Sequence, residues 1–169
     1  MTRQDIVTLF TYHDWANGEM LDAVAPLSAE QFLRDLGNSF PSVRDTVAHI
    51  FGADLIWLQR WKGEPTGGLP AAAAYPTPAS LRDWYAALAK DRRAFLAAAT
   101  EDRLARPFSY KDTRGNPRSL ILAHSMQHVV NHASYHRGQI TTMLRQLGAK
   151  PVSTDLSRFY YERGAAPTG

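Results

Sequence analysis

The stretch that decides the fold is His124-Ser-Met-Gln-His128-Val-Val-Asn-His132-Ala-Ser-Tyr-His136-Arg137-Gly138-Gln139-Ile140. Its four histidines recur at intervals of four residues, one turn of an α-helix, so each adjacent pair lies on one side of one helix and is able to chelate an ion. Apolar residues keep step with them. Leu122, Met126, Val129, Ala133, Ile140, Leu144 and Leu147 form the stripe of an amphipathic helix expected from Arg118 to Leu147, closed by Gly148 with Pro151 just beyond.

Four residues advance about 400° around a helix, so the ladder drifts by roughly 40° at each rung. His136 then lies about 40° from the centre of the apolar stripe, His132 about 80°, His128 about 120° and His124 about 160°. His132 and His136 are therefore expected to face the core as metal ligands. His128 is expected on the border, where it can hydrogen-bond a ligand, and His124 in solvent. Two half-buried histidines on one helix otherwise need two separate partners, whereas one shared ion satisfies both.

Upstream of this helix the same periodicity predicts three more. Asp5 to Val24 carries Ile6, Leu9, Phe10, His13, Met20, Leu21 and Val24 on one face and ends before Pro26. Ser42 to Trp61 carries Val43, Val47, Ile50, Phe51, Trp57, Leu58 and Trp61. Thr77-Pro78 supplies an N-cap and a proline at the first helical position for a helix continuing from Leu81 to Ala99. Between these, Ser28-Ala-Glu-Gln31 has the form of a capping box for a short turn of helix, and Gly63 to Pro76 is a surface crossover. Pro107 to Tyr110 and the turn-like Asp112 to Pro117 predict a short extended segment or hairpin, and Ser153 to Arg163 a further short helix. The expected fold is all-α, one four-helix-bundle domain over residues 1–169 with a long crossover and a small hairpin before the last long helix. Such bundles build metal sites from side chains on facing helices.

Composition narrows the chemistry. The 169 residues include no cysteine, which leaves imidazole and carboxylate as the available ligands and removes disulfides and thiol nucleophiles. The net charge of +3 is spread over 19 basic and 16 acidic residues that form no basic run, so nucleic-acid binding finds no support in it. No basic region followed by an apolar run opens the chain, and no apolar run is long enough to span a bilayer. A cytoplasmic protein without membrane association is expected.

A third ligand must come from His13 or His49. His13 sits in the middle of its helix's apolar face, while His49 lies roughly 130° from the main stripe of a helix that is apolar on several sides. Asp54, near that helix's apolar face, is expected as a paired core carboxylate and is not assigned as a general base.

The stretch from His128 to Ile140 resembles the signature motif of the DinB-like family of bacterial four-helix-bundle proteins. Tyr12-His13-Asp14-Trp15-Ala16-Asn17, His49 followed by Trp57, and Leu144-Arg145-Gln146-Leu147-Gly148 with Asp155 extend the resemblance over nearly the whole chain. The resemblance implies an up-up-down-down helix arrangement, a homodimer, and a metal held by His49, His132 and His136. His13 stands where such sequences often have asparagine, and it is expected, with His128, to support the ligands. Trp15, Trp57 and Tyr135 are expected as packing residues, Arg137 as the partner of a carboxylate or the chain end, and Gln139 as a brace for a loop.

Three imidazoles leave a coordination position open on a four-coordinate ion. The expected cofactor is one divalent transition-metal ion, Zn or Ni first and Fe or Mn next. The expected function is a metal-dependent enzyme acting on a small molecule. It is either a thiol S-transferase, drawing its thiol from an external low-molecular-weight cosubstrate, or a hydrolase. The alternatives are a non-catalytic metal-binding stress-response protein and, third, a DNA-associated damage-response factor.

Overall fold

A computed structural model of the chain describes residues 1–164. Four long helices form the bundle: α1 (Arg3–Val24), α3 (Val43–Lys62), α4 (Pro78–Ala98) and α6 (Leu122–Gln146). Short helices α2 (Ala29–Leu33), α5 (Glu101–Ala105) and α7 (Leu156–Glu162), and a hairpin of β1 (Pro107–Lys111) and β2 (Pro117–Ile121), complete the fold, with α7 packed on α1 through Phe159 against Tyr12 and Trp15. Local chemistry sets the boundaries. Thr2 and Asp5 close a capping box on α1, Ser28 and Gln31 close one on α2, and Thr77 caps α4 ahead of Pro78. Gly63 ends α3 with φ of 72°, a conformation that a residue with a Cβ adopts only at a cost.

The last long helix starts later than its periodicity suggests. Residues 117–121 pair antiparallel with β1, Phe108 opposite Leu120, and the Leu122 N–H bonds the Arg106 carbonyl, so helical winding begins only there. Asp112 stabilises the intervening turn by accepting from the N–H groups of Arg114 and Asn116. Helix α5 has no counterpart in the sequence reading; it is a single short turn capped by Thr100.

Cross-bundle contacts fix the direction of each helix. Arg3 reaches the Ala97 and Ala99 carbonyls and Arg82 pairs with Asp22, so α1 and α4 are antiparallel. Phe51 meets Trp84 and Trp61 meets Phe95, so α3 and α4 run parallel. Thr46 touches Met143 and the Trp61 indole donates to Ser125, so α3 and α6 are antiparallel. Two helices thus point each way, as the resemblance implies, but their chain order is up-down-down-up instead of up-up-down-down. The reason is connection length: α2 packs at one end and lets the chain reverse, and one connection, residues 63–77, spans the bundle. That crossover lies over α3 at Gly52, where a Cβ would come within 2.7 Å of Leu69 Cδ2. It is pinned to α4 by Tyr75 stacked on Trp84 at 4.1 Å.

A buried polar network runs through the largely apolar core. Asp54 and Arg92 are both buried and paired. Arg92 also pairs with Asp14, and His13 Nε2 lies 3.1 Å from Asp54 Oδ2. Burial raises the Asp54 carboxyl, but Arg92 and the His13 hydrogen bond outweigh it and hold the group ionised, below the ordinary carboxylate value. Asp54 is thus a paired core carboxylate. Removing one partner of such a pair strands the other charge. Asp54→Asn is expected to destabilise the protein by about 3 kcal/mol, measured as a lower urea midpoint; an unchanged midpoint would mean that Asp14 alone neutralises Arg92.

Candidate metal centre

Helices α3 and α6 cross with His49 facing His132 and His136. His49 Nε2 lies 3.1 Å from His132 Nε2, which lies 3.1 Å from His136 Nε2. The ligand atoms of the three rings all fall within 4.8 Å of one another. Two nitrogens about 2.1 Å from one ion, subtending angles between square and tetrahedral, are separated by about 3.0–3.4 Å. The cluster has that spacing, and it could hold a metal ion.

Protonation agrees with this donor set. Burial, and then the neighbouring His136, lower His49 to about 4. Burial, and then His136, His49 and His128, lower His132 to about 4. Both rings are neutral near pH 7, as ligation requires. His136 Nδ1 donates to Gln139 Oε1 at 2.7 Å, which turns its Nε2 lone pair toward the cluster. The His49 Nδ1 is buried without a hydrogen-bond partner, so no acceptor orients that ring. Phe40 does so by packing: it stacks flat on His49 at 3.9 Å and meets His136 edge-on at 5.5 Å. Among the described residues no carboxylate joins the set. Beside His49 a cleft of about 150 Å³ opens, lined by Phe40, Asp45, Ala48, Leu69 and Pro70.

Burial along the ladder follows the helical phase. His136 is 7% exposed, His132 half-buried, and His128 and His124 exposed. His128 packs edge-on to Trp57 at 5.3 Å and, among the described residues, makes no hydrogen bond to the cluster. His13 lies elsewhere. It bonds Asp54 and Asn17 in the polar core, away from the three histidines, because Asp54 stands five residues beyond His49, roughly 140° around α3.

Three further expectations are corrected. Tyr135 is 67% exposed, its ring 5.1 Å from His136, and so flanks the cluster instead of filling the core. Arg137 bonds Asn17, Tyr12 and Ser134 and, among the described residues, no carboxylate; the chain end, its other expected partner, lies outside the described residues. Gln139 orients His136 and, among the described residues, makes no hydrogen bond to a loop; its position one turn after that histidine was the available signal. Phe40, in a loop, carried none.

A family model described as the DinB family matches residues 1–166. This chain belongs to the DinB family. Protein DinB of Bacillus subtilis (strain 168) is 27% identical over 160 residues, covering 90% of this chain and 92% of that protein. The crystal structure of a DinB-like protein from Bacillus cereus ATCC 10987 superposes with a TM-score of 0.61 at 17% identity, over 86% of this chain and 94% of that one. This second likeness bears on the fold alone, and it agrees with the helical bundle and hairpin.

Two measurements test the centre of this DinB-family protein. Protein purified without a histidine tag is expected to contain close to one Zn, Ni, Fe or Mn per chain, and His132→Ala to contain none; full metal content in that variant would overturn the assignment. Gln139→Ala is expected to weaken metal affinity by about 10- to 100-fold, the range for losing a partner of a ligand. Stability should also respond to acid. In metal-free protein, His49 and His132 stay neutral when folded but take up protons when unfolded below about 6.5. Their contribution is complete above that value and is lost as pH falls toward about 4. The melting temperature of metal-free protein is therefore expected to drop between pH 7 and pH 4.5, and less so in His49→Gln.

Proposed function

We propose that this DinB-family protein is a metal-dependent enzyme acting on a small molecule, through an ion held by His49, His132 and His136. The observation that carries the proposal is the convergence of three imidazoles, a set that no carboxylate joins among the described residues. Such a donor set leaves the charge of a divalent ion uncompensated, and it leaves a position open for an anionic ligand. When bound, the ion supplies Lewis acidity that favours the deprotonated form of a water or a thiol placed beside it. The protein's own part is orientation. Gln139 fixes the tautomer of His136, Phe40 holds the His49 ring, and the cleft beside His49 admits a small apolar group.

Transfer and hydrolysis both fit these features. With no cysteine in the chain, a transferase would draw its thiol from a low-molecular-weight cosubstrate. Zn and Ni are the first ions to test, then Fe and Mn. A homodimer, as the resemblance implies, and a cytoplasmic location are part of the proposal. The packing of Phe40 against two of the three rings favours a second reading, in which the ion only stabilises the bundle and nothing turns over.

One panel separates these readings. Metal-free and metal-reconstituted protein are assayed with thiols and electrophiles, and in parallel with ester and amide substrates. Turnover is expected only in reconstituted protein, falling to the metal-free level in His132→Ala with helical content retained. A reconstituted protein that melts at higher temperature yet turns over no member of the panel would support the non-catalytic reading.

A further inference from the structure

The proposed centre uses two rungs of a four-rung ladder, and the outer two have no role in it. His124 and His128 are exposed and stand one turn apart on α6, the spacing at which two imidazoles chelate one ion. His128 is not isolated from the centre. Its ring lies 5.9 Å from His132, whose ring lies 4.4 Å from His136. Exposure decreases in the same order, from His124 and His128 through half-buried His132 to buried His136. From His128 inward the ladder is a row of neighbouring imidazoles leading to the buried cluster, and His124 stands one turn further out in solvent.

We propose that His124 and His128 form a capture site for a divalent transition-metal ion and pass it inward along α6 to His49, His132 and His136. This rests on the three-histidine centre being a metal site. Each transfer keeps one shared ligand. His124 is released as His132 binds, with His128 retained; His128 is then released as His136 and His49 bind, with His132 retained. One nitrogen–metal bond breaks at each step and at least one forms, with no change of oxidation state.

The surroundings make the outer pair weak and the inner set strong, as directional loading requires. Two exposed ligands compete with water, whereas three converging ones do not pay the same ordering cost per bond. Arg60 adds repulsion at the outer position. Its guanidinium is held over the Trp57 ring at 4.8 Å and the Tyr110 ring at 4.9 Å, and Trp57 is the ring on which His128 packs. An ion at His128 therefore faces a fixed positive charge that is absent from the inner contacts.

The test is metal uptake by tag-free, metal-free protein, using Zn²⁺ with a chromophoric chelator in competition and stopped-flow mixing. Wild type is expected to bind one tight and one weaker equivalent. His124→Ala/His128→Ala is expected to keep the tight equivalent, lose the weaker one and load severalfold more slowly. His124→Gln/His128→Gln, which keeps the polar surface, guards against misfolding and is expected to behave alike. Tight binding with unchanged stoichiometry and loading rate in both double variants would overturn the ladder while leaving the centre intact. Absence of tight binding in wild type would overturn both.

Discussion

The arrangement depends on one helix that contributes no ligand to the candidate centre. Tyr12, His13, Asp14 and Asn17 on α1 reach every other long helix: His13 bonds Asp54 on α3, Asp14 pairs with Arg92 on α4, and Asn17 and Tyr12 bond Arg137 on α6. These contacts are buried or, for Asp14, partly buried, so sliding any helix by one turn would strand a charge or a donor in the core. The register they hold is the register of the cluster, because His49 is five residues before Asp54 and His136 is adjacent to Arg137. Apolar packing alone tolerates alternative alignments far more readily than a guanidinium with fixed partners does.

That network also explains which parts of the molecule were legible in its sequence. Helical phase separated the exposed outer histidines from half-buried His132 and buried His136, since burial on a single helix depends on the angle to its own apolar stripe. Phase misdirected for His13 and His49. His13 is at the centre of its apolar face and is fully buried, but burial is satisfied equally by Asp54 and by a metal, and periodicity does not say which. His49, far from the main stripe of α3, meets α6 because α3 is flanked on different sides by α4 and α6 and buries more than one face.

The remaining misses share a cause. The later start of α6 is imposed by pairing with β1, a contact between segments, and the helix order is imposed by which connection spans the bundle. Arg137 looked like a group seeking a carboxylate; in the core it is met by the neutral oxygens of Asn17, Tyr12 and Ser134, arranged by two helices at once. Information of this kind is carried by pairs of elements and is invisible to a reading of one element at a time.

A three-imidazole candidate centre set at the inner end of a histidine row that begins in solvent would, if loaded as proposed, separate two tasks that usually conflict. Fast uptake needs exposed ligands that release as readily as they bind, while retention needs converging ligands held rigid by their neighbours. On α6 the helical drift of about 40° per rung performs this separation without any change of residue type. Successive histidines turn from solvent into the bundle, and of the four only His132 and His136 meet His49, with an orienting amide at Gln139 and an aromatic wall at Phe40 beside His136. The same rotation that makes the outer rungs poor permanent ligands makes them accessible first, so position along one helix orders affinity and access in opposite directions.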